Sequence, residues 1–227
     1  MIEPDVISWI AVAAGGPVVA AGAVAAGGRI TPVARIASIE HLASSNRAFA
    51  LAACALIAAF APLALVWLSG PAFLIPSALF VWGGLTLAVV DLSTLRAPRV
   101  WSAVYGFTAV GCTAALAPDH AAGAVFVGVA AFALMQAARL AYRRARGCDG
   151  LGGGDPWVMA ALAAWSGPSG APWVLALGGG FALVATATNF GGARKELRRL
   201  PFAPFLIAAS LLLSFVFAAT RGAPFWN

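Results

Sequence analysis

Charge is what this chain has least of. Of its 227 residues only 10% are Asp, Glu, Lys or Arg, while 62% are hydrophobic. Soluble globular domains carry roughly a quarter charged residues, so a soluble fold is excluded. Histidine and cysteine are scarcer still. The two histidines, His41 and His120, stand far apart in the chain. Of the three cysteines, Cys54 and Cys112 fall inside apolar blocks, and neither they nor Cys148 form a CxxC pair. That argues against a disulfide framework and against a zinc site. A metal centre would have to be built mostly from carboxylates, and only eight acidic residues exist. Positive charge is missing from the N-terminus, where Glu3 and Asp5 precede the first apolar block. A cleavable signal peptide wants a basic start, so this block is expected to stay as a transmembrane helix.

What the chain does have is long apolar blocks with the charges gathered between them. Open strands cannot satisfy their backbone in lipid, so the fold class is all-α, a polytopic membrane bundle whose first partner is the bilayer. A span takes about 20 residues. Blocks near that length fall at about 6–26, 48–69, 72–91, 101–117, 121–141, 156–170, 172–189 and 202–220, which gives about eight transmembrane helices. Arginine-rich loops alternate with loops that hold no basic residue. The basic ones run from Arg29 to Arg47, Arg96 to Arg99, Arg143 to Arg146 and Arg194 to Arg199. The positive-inside rule puts them in the cytoplasm and both termini outside, and of 14 basic residues only Arg221 then lies on the outer side. The pI of 10.3 is thus a matter of topology and does not imply nucleic acid. Runs of small residues such as "LALGGGFALVATAT" suit close helix packing in lipid. The longest cytoplasmic loop, Gly27 to Arg47, is too short to fold alone. Residues 1–70 form an N-terminal helix pair joined by that loop, and residues 71–227 form a second unit holding both acids discussed next.

Six of the eight acids lie in loops or near the N-terminus. The other two, Asp91 and Asp155, stand at the cytoplasmic ends of the third and sixth segments, at similar depth. The run from Pro156 to the Gly167–Pro168 break is about 12 residues, or about 18 Å of helix. The hydrocarbon core is about 30 Å thick, so a helix ending there would leave Asp155 somewhat below the membrane surface. An ionisable group at such a depth is a functional candidate. Each acid also has a structural explanation. Asp155 before Pro156 is a good helix start, and Asp91 would serve as a lipid-boundary marker. As a pair at one depth they offer more. Two carboxylates brought close cannot both ionise easily, so one keeps a proton. One can then act as base toward water and the other as acid toward a carbonyl oxygen, with no metal or cofactor. Gly152 and Gly154, without side chains, would let an extended substrate backbone approach Asp155.

Three separated motifs carry a resemblance. "DLSTLRAP" holds an aspartate followed seven residues later by proline, Asp91 and Pro98. "GLGGGDPWVMAALAAWSGP" is a GxGD sequence ahead of a small-residue helix, and "PFAPFL" at Pro201 to Leu206 precedes the last helix. Their order and combination resemble the type IV prepilin peptidases, membrane aspartyl proteases of the GxGD class. The resemblance implies Asp91 and Asp155 as the catalytic pair, with Gly152, Gly154 and Pro98 toward the substrate. It also implies cleavage of a short basic leader from prepilin or pseudopilin precursors, after a glycine, at the cytoplasmic face of a bacterial inner membrane. Members that also methylate the new N-terminus have a large cytoplasmic domain, often with CxxC pairs. The short cysteine-free loop here resembles peptidase-only members, such as those of Flp/Tad pilus systems. The chain departs from the family pattern at Trp157, usually lysine, at Arg99, commonly Asn or Asp, and at Ala203, usually glycine. A degenerate relative, a presenilin-like enzyme and an ion-coupled transport or assembly subunit are the alternatives. The transport reading would put ionisable residues near the midplane, where this chain has only scattered serines and threonines.

Overall fold

The computed structural model describes residues 44–94, 97–148, 150–189 and 201–221, and every element in them is helical. The first predicted span, most of the loop after it, Arg96 and the Arg194–Arg199 loop lie outside the described residues. Helix α1 is Ser44–Ser69, followed by a 3-10 turn at Pro71–Phe73 and by α2, Leu74–Thr94. Then come α3, Arg99–Leu116, α4, Pro118–Arg146, α5, Asp155–Asn189, and α6, Ala203–Arg221.

Four stretches among the described residues are long and apolar enough to cross a membrane: Pro71–Asp91, Pro118–Arg146, Asp155–Ala187 and Ala203–Arg221. These four come from the described residues alone, which leave out the first of the eight predicted spans and part of the second. In the second predicted segment only Leu56–Ser69 counts, as a shorter apolar helix. Helix α3 has the length but opens on Arg99 and carries Ser102, Tyr105, Thr108 and Thr113. The sixth and seventh segments form one helical stretch, α5, interrupted at Gly167.

Gly167 turns α5 back on itself. Its φ of 64° and ψ of −176° suit glycine and few other residues, and Pro168 next to it disfavours a helical Gly167. Contacts fix the direction after the turn. A Cβ placed on Gly178 would lie 3.0 Å from the Cα of Leu206. Leu206 is one helical turn, about 5 Å, past Ala203, whose N–H reaches Asp91. Asp91 in turn is within electrostatic range of Asp155. A straight α5 would carry Gly178 roughly 35 Å beyond Asp155, too far for that contact. Residues 168–189 therefore run back toward the end from which residues 155–166 rise.

The rising half of α5 is the centre of the bundle. Val158, Leu162 and Trp165 are buried along it, and Trp165 packs against Phe80 of α2 and Tyr105 of α3, at centroid distances of 5.4 and 5.6 Å. Small residues let α3 and α4 close on this half. A Cβ on Gly106 would sit 3.4 Å from Ala161 Cα, and one on Gly128 3.2 Å from the Ala160 carbonyl oxygen. In lipid such contact replaces the missing hydrophobic drive between helices. The outside of the bundle is as apolar as its inside, with Trp67, Phe107, Phe126 and Leu183 exposed.

Backbone accounting explains one further contact. Pro62 inside α1 has no N–H, so the carbonyl of Ala58 loses its helical donor. The indole N–H of Trp82 donates to that oxygen at 2.8 Å and ties α1 to α2.

Candidate active site

Asp91 and Asp155 lie at one end of the bundle, 3% and 7% exposed respectively and within electrostatic range of each other. Asp91 lies in the last turn of α2 and Asp155 is the first residue of α5. Each is tied down through a single oxygen. Asp91 Oδ2 accepts the Ala203 N–H at 3.2 Å. Asp155 Oδ2 accepts the Gly152 N–H at 2.9 Å, while the Asp155 N–H donates back to the Gly152 carbonyl at 3.3 Å. Among the described residues the second oxygen of each carboxylate makes no hydrogen bond and is left for other work. No cluster of three or more His, Cys, Asp or Glu forms among the described residues.

The third motif explains the first anchor. The first N–H groups of a helix have no partner within it. Ala203 opens α6, so its N–H is one of these, and the positive end of the helix favours a carboxylate there. The Phe202 carbonyl accepts from Phe205 and Leu206 at 3.1 and 3.3 Å, which holds the turn in place. Alanine at this position keeps the N–H, so the departure from glycine costs the bond nothing, and its methyl is wholly buried.

The glycine motif has an internal reason as well. A Cβ on Gly154 would overlap the Ala97 carbonyl oxygen and lie 2.7 Å from the Ala97 Cβ. The close approach at Gly154 is thus to the chain itself, to the connector that follows Asp91. Next along that connector, Pro98 caps α3, its carbonyl accepting both the N–H and the hydroxyl of Ser102 at 3.0 Å. Gly152 is exposed beside the acid, where a Cβ would lie 3.0 Å from Asp155 Oδ2.

Trp157 stacks edge-on against Phe132 of α4, at 4.8 Å between centroids. Arg139, also on α4, is half-buried and within electrostatic range of Asp155. The sequence alone did not single it out. Its signal is an arginine inside an apolar helix, one turn before Arg143. That last turn, with Arg143, Arg144 and Arg146, complements the helix dipole, and Gly147 closes it at a φ of 71° with its N–H on the Arg143 carbonyl.

Two buried acids from separate motifs, each with one oxygen held and one available, are suited to moving a proton between a water and a carbonyl. Comparison with known proteins found no match among curated proteins or solved structures. Residues 78–223, which contain both acids, the glycine loop and the "PFAPFL" segment, match the type IV leader peptidase family. The chain belongs to that family.

Proposed function

We propose that this chain is a membrane aspartyl endopeptidase that removes the basic leader of prepilin-like precursors, with Asp91 and Asp155 as its catalytic pair. The observation that supports it best is that two buried carboxylates lie within electrostatic range of each other, with one oxygen of each making no hydrogen bond among the described residues. One carboxyl, protonated, donates to the scissile carbonyl oxygen while the other, ionised, takes a proton from water. The water oxygen bonds to the carbonyl carbon, giving a tetrahedral diol. The C–N bond then breaks as its nitrogen takes a proton from the dyad while a diol hydroxyl gives its proton to the other carboxylate, so the pair returns to one shared proton. Gly152, exposed beside Asp155, edges the path of the extended substrate.

Arg99 at the start of α3 and Arg143, Arg144 and Arg146 in the last turn of α4 stand at the end where the acids lie, which supports a cytoplasmic site in a bacterial inner membrane. In this reading the chain crosses the membrane about eight times with both termini outside, and residues 71–227 carry the reaction. The short cysteine-free sequence from Gly27 to Arg47 supports a peptidase without methyl transfer.

Asp91→Asn and Asp155→Asn test the proposal. Each should insert and accumulate normally yet lower leader cleavage about 10²–10⁴-fold, the usual contribution of a positioned acid or base. Cleavage of a prepilin-like precursor by purified protein in liposomes, followed by gel mobility, measures this. Near-normal processing by either variant would remove the proposal.

A further inference from the structure

A second polar spot lies away from the acids, deep among apolar side chains. Ser77 on α2 is wholly buried, and its hydroxyl has no hydrogen-bond partner among the described residues. A serine inside a helix commonly donates to its own carbonyl four residues back. Ser166 and Ser214 do so, to Leu162 at 2.6 Å and to Ser210 at 2.8 Å, and both are also wholly buried. A hydroxyl buried without a partner is costly, so Ser77 calls for one.

Helical register brings these three hydroxyls together. A Cβ on Gly84 of α2 would lie 3.3 Å from Ile207 Cγ2 of α6, so those two positions face each other. Two turns further from the acids along each helix stand Ser77 and Ser214. Two turns advance about 10.5 Å and return to within about 20° of the same face. Ser77 and Ser214 therefore face each other as well. Helix α5 reaches the same level, because Trp165 packs on Phe80, one turn from Ser77. On α5, Ala161 meets α3 and Ala160 meets α4. Ser166 lies about 140° around the helix from Ala161 and about 120° from Ala160, beyond the Trp165 contact and on the side of α6. It also ends the rising half of α5, just before Gly167 turns the chain.

We propose that a water molecule binds among Ser77, Ser166 and Ser214 and joins α2, α5 and α6 at the end away from the acids. The hydroxyl hydrogens decide the chemistry of the ligand. Ser166 and Ser214 give theirs to their own helices, so each offers only lone pairs. Ser77 still has its hydrogen to give. A water donates to the two acceptors and accepts from Ser77, which makes three bonds, the typical number for a buried water. A monovalent cation would also suit the oxygens but must lose its hydration. The acid of α2 that could offset this, Asp91, is about 21 Å away along the helix. The water fastens the far end of α6, whose first N–H holds Asp91, beside the break in α5. It does not depend on the peptidase reading.

Two measurements on the full-length protein test the site. A crystal structure that resolves waters should place one within about 3 Å of Ser77 Oγ and of at least one of the other two hydroxyls. Thermal melting reads the same site independently. With a bridging water, Ser77→Ala removes a hydrogen bond and should lower Tm by about 2–4 °C. Ser77→Ala and Ser214→Ala should also be coupled, the double variant losing less than the sum of the two. An unpartnered Ser77 predicts the reverse, because alanine then removes a buried polar group at no loss. A raised Tm in Ser77→Ala therefore overturns the proposal. A direct contact between Ser77 and a neighbouring hydroxyl, with no water between them, overturns it too. So does a wild-type Tm that rises in sodium or potassium chloride but not in choline chloride, with the rise lost in Ser77→Ala, which assigns the site to a cation.

Discussion

The two acids are buried to similar degrees but held in opposite ways. Asp155 is anchored by Gly152, three residues back in its own loop. Asp91 is anchored by Ala203, 112 residues further along the chain. The first geometry is set locally, as soon as the glycine loop and the first turn of α5 form. The second exists only when α6 has docked on α2, and closing so long a loop costs entropy that packing must offset. The site therefore couples one self-contained acid to one that reports assembly of the last described helix. Gly154 joins them, because its bare Cα sits on Ala97, six residues past Asp91.

The largest effect should come from removing that junction. Gly154 is not among the glycines with positive φ, so alanine there meets no backbone strain and acts by collision alone. Its Cβ would overlap the backbone of Ala97, and overpacking of this kind typically costs 1–3 kcal/mol or more. Gly154→Ala should lose cleavage by about 100-fold and also lower the melting temperature in detergent. The paired readout matters. A glycine needed only for close approach of substrate would lose activity without losing stability, so an unchanged melting temperature would return Gly154 to the substrate side.

Legibility of the site in the sequence divides along the same line. Asp91 and Asp155 stood out because acids are so few and these two sit at the ends of apolar blocks. The basic loops were legible because topology concentrates arginine on one side. Gly167–Pro168 was legible as a break between two spans of opposite direction, since both residues disfavour a continuing helix, but the packing of the second span beside α6 needed the Gly178–Leu206 contact. The Ala203 anchor was not legible, because the donor is a backbone N–H and every residue but proline has one. Arg139 was hidden among apolar neighbours on α4. A missing side chain at Gly154 suggests room for a substrate in the sequence, and in the structure it serves the chain's own packing on Ala97.

A middle-sized effect should follow from cutting the long-range anchor alone. Ala203 is the first residue of α6, where proline is well tolerated because that N–H has no helical partner. Ala203→Pro removes the donor to Asp91 Oδ2 and leaves the helix able to form. A hydrogen bond to a charged group contributes about 1.5–3 kcal/mol, which as lost positioning corresponds to about 10–100-fold in rate. Ala203→Ser, which keeps the N–H, serves as the control and should stay far closer to wild type. Equal loss in both variants would mean that packing around the wholly buried Ala203, not the hydrogen bond, holds Asp91.

The smallest effect should come from the local anchor, in Gly152→Ala. The N–H that Asp155 accepts is retained, and Gly152 has no positive φ, so its backbone accommodates alanine. The new Cβ would sit 3.0 Å from Asp155 Oδ2, closer than ordinary contact, and the carboxylate must yield by a few tenths of an ångström. A side chain pushed about 30° off its rotamer costs roughly 0.5–1.5 kcal/mol, and this displacement is smaller, so cleavage should fall only about threefold. Stability should move the other way, since replacing glycine where alanine fits restricts the unfolded chain by about 0.4–1 kcal/mol. Gly152→Ala is thus expected to be slightly slower and no less stable, the reverse of Gly154→Ala on the second count. Kinetics and thermal melting of the two variants side by side decide it. A loss at Gly152 as large as that at Gly154 would show that Asp155 has no room to yield and is held as rigidly as its distant partner.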